Sequence, residues 1–199
     1  MRRALFLLFG AILLTGCAHR THLAGGSIVF LGDSITAGYG LDPSQAYPAL
    51  ISIPGMTTVN LGVSGDTSAD GLQRLRDYFT GGATPRLVVI ALGANDILHG
   101  VSVDETEANL NAAVAECQNY GAAVLLCGVK IPFKFDTASI FEYVAGKNHV
   151  PLVPDIMMGE AFDPHLLQED EMHPTAEGQK IIATRLQATM LEQFSFETK

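Results

Sequence analysis

The 199-residue chain has no tryptophan, and cysteine occurs only at Cys17, Cys117 and Cys127. Three cysteines with no Cys-x-x-Cys pair exclude a disulfide framework and give no zinc-binding pattern. Basic residues are scarce: 12 Lys and Arg stand against 21 Asp and Glu, for a net charge of −9. With no Lys/Arg cluster, the chain lacks the electrostatic footprint of a nucleic-acid binder and any basic patch for an anionic lipid surface. No apolar run approaches the roughly 20 residues of a spanning helix. The apolar stretch Ala4 to Leu14 stops well short of it.

That stretch still has a meaning. Met1-Arg2-Arg3 is a basic start, Ala4 to Leu14 an apolar middle, and Leu14-Thr15-Gly16-Cys17 a small-residue end before a cysteine. The pattern resembles a bacterial lipoprotein signal peptide, in which residues 1–16 are removed and Cys17 is lipidated. Ala18, rather than Asp, follows the cysteine, which by resemblance to enterobacterial lipoproteins favours the outer membrane. Several acyl chains on one cysteine would hold the protein without a spanning helix. Removing residues 1–16 takes away two arginines and no acid, so −9 becomes −9 − 2 = −11. Residues 17–26 then read as the lipidated N-terminus and a tether, and 27–199 as one domain.

Strand and helix signals alternate through that domain. Apolar strands are expected at Ser27–Leu31, Thr57–Leu61, Arg86–Leu92, Ala122–Val129 and Val150–Val153. Helices are expected at Ser44–Ser52, with Asp42 or Ser44 as the cap, and at Ser68–Phe79, Thr106–Tyr120, Thr137–Lys147 and Thr175–Phe194. This order implies an α/β sandwich, a five-stranded parallel sheet covered by helices on both faces. Cys117 falls near a helix end and Cys127 some five residues into the next strand, roughly 16 Å along it. The two would exceed the Cα separation of about 7 Å that a bridge allows, so both are expected as buried thiols.

Four blocks follow these strands: Gly32-Asp33-Ser34-Ile35-Thr36, Asn60-Leu61-Gly62-Val63-Ser64-Gly65-Asp66, Gly93-Ala94-Asn95-Asp96, and Asp170-Glu171-Met172-His173-Pro174. Ligands of open parallel sheets bind outside the carboxyl ends of the strands, so the topology brings all four blocks to one edge. Ser34 opens a turn there, where free N–H groups suit a developing anion. Of six histidines, His19 and His22 lie in the tether and His149 in a surface loop, whereas His99 and His165 lie near the edge. His173 is the best base, because Asp170 three residues earlier can take its Nδ1 proton and leave Nε2 for the serine. The Ser34 N–H, the Gly65 N–H and the Asn95 amide could together receive an oxyanion. Asp33, Asp66 and Asp96 read as turn and cap carboxylates.

These blocks resemble those of the SGNH hydrolases, also called the GDSL esterase/lipase family, over Ser27 to about Leu191. They are most similar to the bacterial periplasmic thioesterase, arylesterase and lysophospholipase branch. The resemblance implies a flavodoxin-like sheet of order 2-1-3-4-5, and Ser34, Asp170 and His173 as the catalytic residues. It places Ser34, Gly65 and Asn95 in the oxyanion hole and implies no metal or organic cofactor. It also implies hydrolysis of acyl or aryl esters, extending to thioesters and lysophospholipids. One departure is Lys130–His149, which looks shorter than its counterpart and carries Phe133, Phe135, Phe141 and Tyr143. Those aromatics suit either an acyl pocket or plain core packing, and Ile97 to Val101 reads as a loop covering the acyl group. A carbohydrate O-acetyl esterase on the same scaffold is the alternative, and a non-catalytic envelope lipoprotein a weaker one.

Overall fold

The computed structural model describes residues 20–129, 137–157 and 163–197. Seven strands and seven helices are present among them. The strands are β1 (Thr21–Leu23), β2 (Gly26–Gly32), β3 (Met56–Gly62), β4 (Leu87–Ala91), β5 (Ala123–Cys127), β6 (Leu152–Val153) and β7 (Phe194–Phe196). The helices are α1 (Ser34–Ala37), α2 (Tyr47–Leu50), α3 (Ser68–Thr80), α4 (Ala94–His99), α5 (Val103–Asn119), α6 (Ala138–Asn148) and α7 (Ala176–Gln193). Strands β2 to β6 form one parallel sheet in the order β3-β2-β4-β5-β6. Counted along the sheet's own strands this is the expected 2-1-3-4-5.

Successive strand residues point to opposite faces, and each face has its own core. Ile28, Phe30, Val89, Leu125 and Cys127 pack under α2 and α7, against Tyr47, Ile182, Leu186 and Met190. Val29, Leu31, Val88, Ile90 and Leu126 pack under α3, α5 and α6, against Leu75, Leu110, Val114 and Phe141. Cys117 belongs to the second core and Cys127 to the first, so both are buried and free as expected.

Helix starts follow local chemistry. Thr67 and Asp70 form a capping box on α3, and Ser102 and Thr175 cap α5 and α7 through their hydroxyls. The single helix expected over residues 44–52 is instead a 3-10 turn at Pro43–Gln45 followed by α2. Pro48 is the reason: it has no N–H for the Ser44 carbonyl, and its ring collides with that carbonyl in a continuous helix. Asp42 is the cap, and Ser44 donates to it.

Two further expectations are corrected. Residues 97–101 are not an open loop, since α4 runs to His99 and Gly100 closes it at φ 75°. The stretch read as a tether contains β1, which pairs in parallel with β7 as a separate two-stranded sheet. Leu23 is buried in the α7-side core, and Glu197 N–H donates to its carbonyl.

Candidate active site

The four blocks meet at the carboxyl edge of the sheet. β2 ends at Gly32, and α1 begins at Ser34 with Asp33 as its cap, accepting from the Ile35 N–H at 3.0 Å. This turn is clamped from three sides. Asn60, from β3, donates through its amide to the Thr36 carbonyl at 2.9 Å. Gln179, from α7, donates to the Ile35 carbonyl at 2.9 Å and accepts from the Tyr47 N–H at 2.8 Å. The Thr36 and Tyr47 hydroxyls are bonded at 2.9 Å in the interior. Gly62 permits the close approach, because a Cβ there would collide with the α1 backbone at Ala37.

The fourth block is a tight turn between a 3-10 turn at Pro164–Leu166 and α7. Asp170 Oδ1 accepts from the N–H groups of Met172 and His173 at 3.0 and 2.9 Å. Its Oδ2 lies 2.7 Å from His173 Nδ1, and His173 Nε2 lies 2.9 Å from Ser34 Oγ. The His173 N–H, then the imidazole, then the Met172 N–H hold the Asp170 carboxyl down at about 2. Asp170 is therefore an anion at any neutral pH and fixes Nδ1 as the protonated nitrogen, leaving Nε2 as an acceptor toward the hydroxyl. His99 and His165 are exposed, and the base bonded to Ser34 is His173, whereas His22 is bonded to Ser195 and Glu197.

Gly65 is exposed with φ 87°, a backbone region costly for any residue with a Cβ. A Cβ there would meet nothing within 4 Å, so the backbone angle, more than crowding, requires glycine. Asn95 opens onto the same edge from α4. One N–H of its amide is donated to the Asp66 carbonyl at 2.9 Å, and the second has no partner among the described residues. This bond also ties the β3 and β4 loops together.

Of the three neighbouring aspartates expected as turn and cap carboxylates, only Asp33 caps its own turn, and the other two bind residues brought from α3. Asp96 is fully buried and accepts from the Ser68 N–H at 2.7 Å and the Ser68 hydroxyl at 2.5 Å. Asp66 is ion-paired with Arg74. Asp33 is 3 % exposed, and burial pushes its carboxyl up to about 6 against the opposing Ile35 N–H and the nearby His173.

Several residues of the site escaped sequence reasoning. Arg74 of α3 donates to the Leu61 and Gly32 carbonyls at 2.9 and 3.0 Å, closing the ends of β3 and β2. Gln168 donates to the Tyr39 and Pro174 carbonyls at 2.8 and 2.9 Å, joining the serine loop to the histidine turn. The Tyr39 ring lies against the His173 imidazole at 4.5 Å between centroids, which restricts its swing. No spacing in the sequence signals these partners. Of the aromatics weighed for an acyl pocket, Phe141 is core and Tyr143 is exposed under Lys147. Phe133 and Phe135 lie outside the described residues.

A serine, imidazole and carboxylate in hydrogen-bonded series beside free N–H donors can carry out acyl transfer. Residues 30–181 match the GDSL-like lipase/acylhydrolase family. The chain belongs to that family. It is therefore a carboxylic ester hydrolase. It is 34% identical to Esterase TesA of Pseudomonas aeruginosa over 185 residues, covering 85% of this chain and 92% of that protein. It is 32% identical to thioesterase 1/protease 1/lysophospholipase L1 of Escherichia coli over 169 residues, covering 80% and 81%. Among solved structures, the psychrotrophic esterase EstA from Pseudoalteromonas, inhibited by monoethylphosphonate, superposes with a TM-score of 0.77. Identity there is 28%, over 83% of this chain and 97% of that one. The two share the α/β fold with its parallel sheet.

Proposed function

We propose that this family member cleaves acyl and aryl esters through an acyl-enzyme on Ser34. The observation that carries the reading is the bonded series Asp170–His173–Ser34, at 2.7 and 2.9 Å. Ser34 Oγ attacks the ester carbonyl carbon while His173 Nε2 takes its proton. The carbonyl oxygen becomes an oxyanion that accepts from the Ser34 and Gly65 N–H groups and the free Asn95 N–H. As the carbon–oxygen bond to the leaving group breaks, His173 returns the proton to the departing alcohol. Water then attacks the acyl-enzyme by the same relay and frees the acid and Ser34. Asp170 stays ionised throughout and stabilises the imidazolium.

The similarity to the E. coli thioesterase and lysophospholipase supports extending the substrate class to thioesters and lysophospholipids. The Leu14-Thr15-Gly16-Cys17 pattern supports removal of residues 1–16 and lipidation at Cys17, and Ala18 after it supports the outer membrane facing the periplasm. Ser34→Ala and His173→Ala should each lower kcat on a short aryl ester by about three or more orders of magnitude. The double variant should be little worse than either single one, because the residues act as a unit. An Ser34→Ala enzyme that keeps most of its activity would refute the mechanism. Acetyl, butyryl, octanoyl and palmitoyl aryl esters beside an acetylated sugar separate this reading from the O-acetyl esterase.

A further inference from the structure

The β1–β7 pairing has a mechanical consequence at the opposite end of the molecule from Ser34. Helix α7 begins directly after the histidine turn and runs 18 residues, about 27 Å at the usual rise, to the amino edge of the sheet. There the incoming chain is fastened to it. Arg20 Nη1 donates to the Leu191 carbonyl at 2.9 Å, His22 bonds Ser195 and Glu197 at 3.2 Å each, and β1 pairs with β7. Leu23 then passes into the core. From Arg20 onward the chain is part of the body. Only three peptide steps separate Arg20 from Cys17, a reach of at most about 11 Å. That is far shorter than α7.

We infer that a chain anchored through Cys17 stands on the amino edge of its sheet and holds the Ser34–His173 edge away from the anchoring bilayer, so that its esters arrive from the aqueous side. The inference rests on the lipid-anchor reading above. To bring His173 down to the lipid the molecule would have to lie along α7. The exposed residues of that helix include Glu177, Lys180, Thr184, Ala188 and Glu192, with no apolar stripe to enter a bilayer. The mature charge of −11, two below the −9 of the full chain, also opposes lying on an anionic leaflet. Leu191, 45 % exposed, lies at the amino edge, where Arg20 enters. Lysophospholipids of the anchoring leaflet are then poor substrates, and soluble esters, or those of a facing surface, are the accessible class.

The test uses the full lipidated chain, purified in detergent and reconstituted into phosphatidylcholine vesicles that contain headgroup-nitroxide lipid. A dye is placed on an introduced cysteine at Thr84→Cys, on the amino-edge turn before β4, or at Met172→Cys, exposed beside His173. The native Cys117 and Cys127 are buried, and burial raises both thiols, so neither competes for the dye. The nitroxide should quench the Thr84 dye several-fold more than the Met172 dye. Equal or stronger quenching at Met172, or no quenching at either position, would overturn the orientation. Mass spectrometry of the same preparation tells the two failures apart: an unmodified N-terminus defeats the anchor reading, and lipidated protein with a quenched Met172 dye defeats the orientation alone.

Discussion

A single variant of Asn95 separates its observed bond from its proposed role. One N–H of its amide holds the Asp66 carbonyl, and the other is the proposed oxyanion donor. Asn95→Ala should lower kcat by roughly 10²–10³-fold with a much smaller change in KM, since the lost bond strengthens only as charge develops. The lost Asp66 bond should also lower Tm modestly. A clear Tm loss with near-normal kcat would leave Asn95 with its structural task alone. Asp33 makes a different prediction, in pH. Its folded carboxyl titrates near 6, above the ordinary value of 3.8, so the folded state favours the protonated form. Its stability contribution is complete below about pH 4 and lost as pH rises through about 6, by roughly 3 kcal/mol. Asp33→Asn keeps an acceptor for the Ile35 N–H and carries no charge. Its Tm should exceed the wild type clearly at pH 7.5 and barely at pH 4.5. An equal difference at both values would show that ionisation of Asp33 is not what costs stability.

Among the elements, β1 and α1 are both short, and each is held by partners far away in the chain. α1 is a single turn of four residues, too short to persist by propensity. It stands because Asn60, Gln179 and Tyr47 fix it from β3, α7 and α2, which is how a serine on a short turn keeps its place opposite His173. β1 is shorter still, at three residues. Leu23→Ala should destabilise the fold by about 2–4 kcal/mol, as other buried Leu truncations do. Because β1 lies at the far end of α7, kcat on a soluble aryl ester should not change. Denaturant melts beside kinetics at low temperature measure both, and a fall in kcat matching the loss of stability would show that the two ends are coupled.

At the scale of the whole molecule, one body receives the incoming chain at its amino edge and carries the Ser34–His173–Asp170 series at its carboxyl edge. Among the described residues no helix is long and apolar enough to cross a membrane. On the proposed lipid-anchor reading, Cys17→Ser should move the protein from the membrane fraction to the soluble one, with kcat on soluble esters kept. Fractionation and mass spectrometry of the mature N-terminus check this, and a Cys17→Ser protein that stays with the membrane would show that another feature holds it. The strongly acidic charge makes electrostatic retention on an anionic leaflet a poor substitute for lipid.

Much of this was determined by local sequence. The apolar strand runs, the helical stripe Leu72–Leu75–Phe79, the caps Thr67 and Thr175 and the Asp170–His173 turn each depend on residues within a few positions of one another. The alternation of strands and helices then leaves little choice but a parallel sheet with its site at the carboxyl edge. What the tertiary structure alone decided are contacts between residues far apart in the chain. β1 is a strand only because β7, 173 residues later, offers it a partner. Arg74 reaches back 42 residues to Gly32, and Gln168 129 residues to Tyr39. Such polar bonds carry no periodicity, since one side chain meets one carbonyl wherever the fold has brought it. For that reason the sequence could name Ser34, His173 and Asp170, whereas the residues that hold them in place became visible only once the chain was folded.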